Sequence, residues 1–209
     1  MKTKRLPILG GFTRFLLVSI ALLSMPAFAQ DVALIRTGNT EIGGFFGGSY
    51  GLDSWRGMGG GNVAYAATRF ILPYVEYSYF PGIVRTGTIA VPGFGDATFR
   101  TSVPLSDFHG GIHLRFPKGQ TPVVPYLVAG AGVIGYRDTD ATVAIPGITQ
   151  TFTQRINGTS DFAANFGAGL RYYTTERLGF RVEFKGYKPT GTYTDPFYKV
   201  TVGIFFQIR

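Results

Sequence analysis

The sequence predicts an all-β chain: eight antiparallel strands running up and down, closed into a transmembrane β-barrel and preceded by an N-terminal signal peptide. Three observations carry this expectation. Apolar and polar residues alternate at period two over runs of seven to twelve residues. The apolar face of the clearest runs contains no charged or amide side chain. The connections alternate between short and long, which places them at opposite ends of a meander.

Composition agrees. Of 209 residues, 30 are Gly, aromatics make up 15% and charged residues 15%, against about 25% charged in an average chain. So many aromatics exclude a disordered chain. The absence of Cys excludes a disulfide scaffold, a thiolate metal site and a cysteine nucleophile. The net charge of +8 is concentrated at the start. Lys2, Lys4, Arg5 and Arg14 precede an apolar run over 15–23, and Ala27-Phe28-Ala29 follows. A basic region, an apolar region too short to span a bilayer and a small-x-small site read as a secretory signal peptide, cut between Ala29 and Gln30. The expected organisation is a signal peptide over 1–29, a short periplasmic segment over 30–40 and an outer-membrane barrel over 41–209. The mature part carries 16 basic and 12 acidic residues, unclustered, so no nucleic-acid partner is expected.

In chain order the first strand, near 41–50, sets Ile42, Gly44, Phe46, Gly48 and Tyr50 against Glu41, Gly43 and Gly47. The second covers 60–68. The third, 72–80, sets Val75, Tyr77 and Tyr79 against Glu76. In the fourth, 105–116, Phe108, Gly110, Ile112, Leu114 and Phe116 oppose Asp107, His109, Gly111, His113 and Arg115. The fifth, 123–137, is apolar or small on both faces, so its orientation stays open. The sixth, 160–173, has Phe162, Phe166 and Leu170 on one face and Arg171 on the other. The seventh, 178–187, sets Phe180, Val182 and Phe184 against Arg181, Glu183 and Lys185. The eighth, 197–209, sets Tyr198, Val200, Val202, Ile204, Phe206 and Ile208 against Lys199, Thr201, Gly203, Phe205, Gln207 and Arg209. Short connections are expected after the second, fourth and sixth strands, and long loops over 51–59, 81–104, 138–159 and 188–196.

Alternation alone does not say which face meets water. The rings on the apolar face are expected to be too bulky for the lumen of eight strands, which ordinary side chains just fill. They therefore face lipid, and the polar face with its glycines lines the lumen. Tyr50, Tyr79, Phe80, Tyr136, Tyr172, Tyr173, Tyr187 and Tyr198 fall near strand ends, as interfacial girdles do.

At these residues the chain resembles the outer-membrane β-barrel family of OmpA/OmpX type. The segments most like it are Pro73-Tyr-Val-Glu-Tyr-Ser-Tyr79, Val124-Pro-Tyr-Leu-Val-Ala-Gly-Ala-Gly132, Phe166-Gly-Ala-Gly-Leu-Arg-Tyr172 and Val200-Thr-Val-Gly-Ile-Phe-Phe206. The resemblance covers residues 40–209. It implies the outer membrane of a Gram-negative-type bacterium, contact with lipid and lipopolysaccharide, and insertion by the outer-membrane assembly machinery. Family members commonly end on an aromatic residue, whereas this chain ends Phe206-Gln-Ile-Arg209.

For function, the polar face offers Glu76, His109, His113, Arg115, Arg171, Arg181, Glu183 and Lys185. The expected role is a lumenal network of hydrogen bonds and ion pairs, because buried charges need partners. Glu76 is expected to pair with Arg171 or Arg181. Neither a catalytic site, a metal site nor a cofactor is expected. Ser106, Asp107 and His109, adjacent on one strand, cannot converge as nucleophile, base and orienter. The loops repeat Ile/Val-Pro-Gly, at Pro92-Gly93 and Pro146-Gly147, which suggests hairpins standing above the membrane. With Trp55 these are the candidate contacts for a surface protein partner. The function expected is a non-enzymatic structural or surface-interaction barrel. The alternatives are a lipid A-modifying enzyme and a small-solute pore.

Overall fold

Period-two alternation becomes ten antiparallel strands in the computed structural model, which describes residues 35–209 except 53, 94, 120, 146, 148, 150 and 192–194. The expected signal peptide, its cleavage site at Ala29 and Gln30, most of the 30–40 segment and Pro146 lie outside the described residues. The strands are β1 (Thr40–Leu52), β2 (Ser54–Tyr65), β3 (Ile71–Val91), β4 (Gly95–Arg115), β5 (Val123–Tyr136), β6 (Thr139–Ala144), β7 (Thr151–Ile156), β8 (Thr159–Tyr173), β9 (Leu178–Pro189) and β10 (Phe197–Ile208).

Eight of them close. The order runs β3-β2-β1-β10-β9-β8-β5-β4, and β4 pairs back onto β3. The first and last strands meet from Thr40↔Ile208 to Tyr50↔Tyr198. The remaining two, β6 and β7, form a hairpin that hangs on the upper half of β4 through Thr98↔Ala144 to Thr101↔Ala141.

At one end the turns are tight, and threonine makes two of them in the same way. Thr68 Oγ accepts hydrogen bonds from the Phe70 and Ile71 amides. Thr175 Oγ accepts from the Arg177 and Leu178 amides. A hydroxyl three residues before the next strand gives the backbone a local partner, which is the logic of an ST-turn.

The other end departs from expectation. The 51–59 segment is no long loop, because β1 continues to Leu52 and β2 begins at Ser54. Gly51, at φ +110°, takes up a conformation that a side chain would resist and lets the hairpin close tightly. Trp55 therefore sits on a strand rather than a loop tip. It is exposed on the outward face, packed over Gly48, with its ring 5.8 Å from that of Tyr50.

The lumen also departs from expectation, since it holds large rings. Phe45, Phe80, Tyr126, Tyr173, Tyr187, Phe197 and Phe205 are all buried. Phe80, Tyr173 and Tyr187 are thus not girdle residues. The room comes from glycine on neighbouring strands. A Cβ at Gly169 would lie 2.5 Å from the Tyr126 ring, one at Gly60 2.6 Å from Phe45, and one at Gly179 2.3 Å from Phe205. The fifth strand takes the orientation that buries Val124, Tyr126 and Val128 and exposes Val123, Leu127 and Val133.

Candidate functional site

The outward face is a belt without charge between its rims. Phe46, Ile112, Phe166, Val182 and Phe206 are exposed there, Phe46 at 69%. Water would not tolerate so continuous an apolar surface on a monomer. Lipid does, and a closed sheet leaves no backbone group unpaired within it.

Every charged side chain singled out on the polar parity of the strands lies inside the barrel. Glu76, His109, His113, Arg115, Arg171, Arg181, Glu183 and Lys185 are all at most 2% exposed. Glu41, Asp107 and Lys199, not singled out as site residues, are equally buried. Each lies on the polar parity of its own strand, which is the signal that identifies them.

The contacts are specific. Near the tight turns, Arg171 Nη1 donates to Glu41, and Arg171 Nη2 donates to His113 Nδ1 at 2.8 Å. A guanidinium can only donate, so Nδ1 of a neutral His113 carries no proton and Nε2–H faces Glu183, 3.6 Å away. Arg115 donates to the Thr68 carbonyl at 2.9 Å and to Tyr173 OH at 3.2 Å, with Glu41 Oε1 at 3.5 Å. Mid-barrel, Lys185 Nζ donates to both Glu76 oxygens, at 2.7 and 2.8 Å, and lies 2.8 Å from Glu183 Oε1. Tyr126 OH donates to Glu183 Oε2 at 2.6 Å. Lys199 Nζ reaches Asp107 and Ser78 at 2.8 Å and Glu76 at 3.2 Å. The expected Glu76–Arg171 pair does not form, because Glu41 holds Arg171. The expected Glu76–Arg181 pair is a 3.9 Å approach without a hydrogen bond.

Apolar clusters flank this network on both sides within the barrel. Phe80, Leu105, Ile134, Tyr187 and Phe197 pack together towards the loops. Val124, Tyr173 and Phe205, with Ile35 against them, pack towards the turns. His109 sits edge-on to Tyr187 with ring centroids 5.0 Å apart, whereas His113 stacks on Tyr74 at 4.3 Å. Among the described residues no three of His, Asp, Glu or Cys gather as a metal-binding group. Ser106 lies on the opposite face of β4 from the buried Asp107 and His109, so these three do not converge.

Beyond the belt, the upper halves of β3 and β4 continue with β6 and β7 as a four-stranded sheet. One row across it reads Gly87, Phe99, Val143, Phe152 and the next Thr86, Arg100, Thr142, Thr153. The sheet is therefore amphipathic. Pro92-Gly93 forms the β3–β4 tip, with Gly93 at φ +85°, and Gly147 at φ +81° lies between β6 and β7. Where this sheet meets the barrel, Asp138 accepts from the Gly158 amide at 2.7 Å and pairs with Arg155. The Gly158 amide and the Arg155 guanidinium hold the Asp138 carboxyl below its ordinary range. Beside it lies an open cleft of about 720 Å³ lined by Tyr136, Arg137, Asp138, Gly158, Thr159 and Ser160.

Comparison with solved structures decides the architecture. A major outer membrane protein from Thermus thermophilus matches 83% of this chain and 100% of its own at 9% identity, with a TM-score of 0.58. Neisserial surface protein A matches 81% of this chain and 96% of its own at 12% identity, with a TM-score of 0.51. The chain has the fold of the eight-stranded outer-membrane barrels. No protein-family profile and no curated protein matches the sequence.

Proposed function

We propose that the chain is a non-enzymatic integral protein of a Gram-negative-type outer membrane, exported through a cleaved signal peptide, whose extramembrane sheet docks a surface protein. Its neighbours in the bilayer are lipid and lipopolysaccharide, and the outer-membrane assembly machinery inserts it. The lumenal network serves stability. The supporting observation is the edge of β7. This strand ends the sheet order, pairs only with β6, and exposes every residue from Thr151 to Arg155. A row of unpaired backbone groups beyond the membrane is a template for strand addition. The apolar clusters on both sides of the lumenal network favour this reading over a pore.

The chain has no Cys, so a single Thr153→Cys gives one site for a photo-crosslinker on intact cells. A discrete protein adduct at 153, missing when the probe is moved to Thr88, is the expected result. Failure to capture any protein at 153, together with altered lipid A in the deletion strain by mass spectrometry, would replace docking with an enzymatic role.

A further inference from the structure

Among the described residues, four acids and four bases of the lumen hold one another through hydrogen bonds and ion pairs. Glu41 takes Arg171 and Arg115, Glu76 takes Lys185 and Lys199, Asp107 takes Lys199 and Glu183 takes Lys185. Arg181 is a fifth base, joined to this network only by a long ion-pair approach to Glu76 and by no hydrogen bond. Its side chain is buried to the same degree, yet Nε, Nη1 and Nη2 find no hydrogen-bond acceptor among the described residues. Glu76 Oε2 lies 3.9 Å away and already accepts from Lys185. The Phe45 ring covers one face of the guanidinium, with its centroid 5.2 Å from Cζ.

A lysine in this position could shed its proton. An arginine cannot, because its guanidinium stays charged at any pH the protein meets. A buried charge without a hydrogen-bonded partner of its own is costly enough that native structures supply one. Arg56 and Asp161 are also buried and cancel, so among the described residues the surplus is a single positive charge with both histidines neutral, and Arg181 lies between two apolar clusters. With the ring on its face, the guanidinium presents its N–H edge.

We propose that the lumen holds one small monovalent inorganic anion, of the halide class, on the N–H edge of Arg181. A doubly charged oxyanion would overcompensate the surplus and needs more donors than Arg181 has free. The anion is a structural counter-ion of the folded barrel, so halide and fold stabilise each other by mass action.

The experiment uses the barrel purified from membranes in detergent. Crystals soaked in bromide are expected to give one anomalous peak in contact with the Arg181 guanidinium. In parallel, urea unfolding is followed while chloride replaces gluconate at constant ionic strength. Above the site's dissociation constant, the folding equilibrium should rise about tenfold per tenfold of chloride. Arg181→Met should abolish that dependence, and Arg181→Lys should weaken it as the pH is raised and the lysine sheds its proton. Water alone at Arg181 in the bromide crystals overturns the proposal. So does a chloride dependence identical in wild type and Arg181→Met. If Arg181→Met does not fold, the bromide peak in the wild-type crystals decides alone.

Discussion

Lys185 donates to both carboxylate oxygens of Glu76, at 2.7 and 2.8 Å, from β9 to β3 across the centre of the barrel. The two strands are not neighbours in the sheet, so this contact ties opposite walls together. Replacing one partner leaves the other buried with a weaker set of contacts, Lys185 on Glu183 or Glu76 on Lys199, so each single change should cost less than the about 3–5 kcal/mol of a fully orphaned charge. Glu76→Gln with Lys185→Met should cost less than the sum of the singles, with a coupling of about 0.5–3 kcal/mol. Glu76→Gln with Arg171→Met should add to within about 0.5 kcal/mol, since Arg171 bonds Glu41. Urea titration of the gel-shift between folded and unfolded barrel measures all of these. Absence of coupling to Lys185 would show that the lumenal register is wrong.

The lipid-facing belt makes a second prediction. Val202 is exposed in the middle of β10, and Ile112 is exposed three residues before the end of β4. Arg at either position should cost about 2–4 kcal/mol in a bilayer-folded barrel. A neutral Ile112→Arg in the same titration would invert the assignment of faces.

Glycine in the lumen makes a third. Gly169→Ala sets a Cβ 2.5 Å from the Tyr126 ring and 2.6 Å from the Val182 carbonyl, and overpacking of this kind costs about 1–3 kcal/mol. Gly186→Ala on the outward face meets the Tyr198 ring at 3.5 Å, an ordinary contact. It should be the milder of the two by thermal unfolding. Equal effects would mean that the lumen is loosely packed.

The Asp138 clasp makes a fourth. Its carboxyl is held below the ordinary value of about 3.9, first by the Gly158 amide and then by Arg155. A depressed folded-state value means that the clasp contributes fully above that ordinary value and fades as pH falls through the lowered one. The protection factor of the Gly158 amide, its exchange relative to the intrinsic rate, should therefore fall on acidification below about pH 4. In Asp138→Asn it should be low throughout and lose that acid-induced fall. A wild-type profile without that acid-induced loss would remove the clasp.

The sequence by itself determined the strands and their faces. The side-chain period along a strand is a local property, so Glu76, His113, Arg181 and Lys185 could be assigned to one parity before any partner was known. It also marked the Pro92-Gly93 tip, whose turn chemistry is local as well. Which residues meet inside is not local. Glu76 finds Lys185 rather than Arg171 because the stagger of the closed sheet sets which side chains share a depth, and no single strand encodes that stagger. The strand at 123–136 has no alternation to read, and only closure turned Tyr126 inward to reach Glu183. The buried rings were illegible for the same reason. Phe45 and Tyr126 fit because Gly60 and Gly169, on adjacent strands, lie beside them, and space in a core belongs to pairs of elements brought together by the fold.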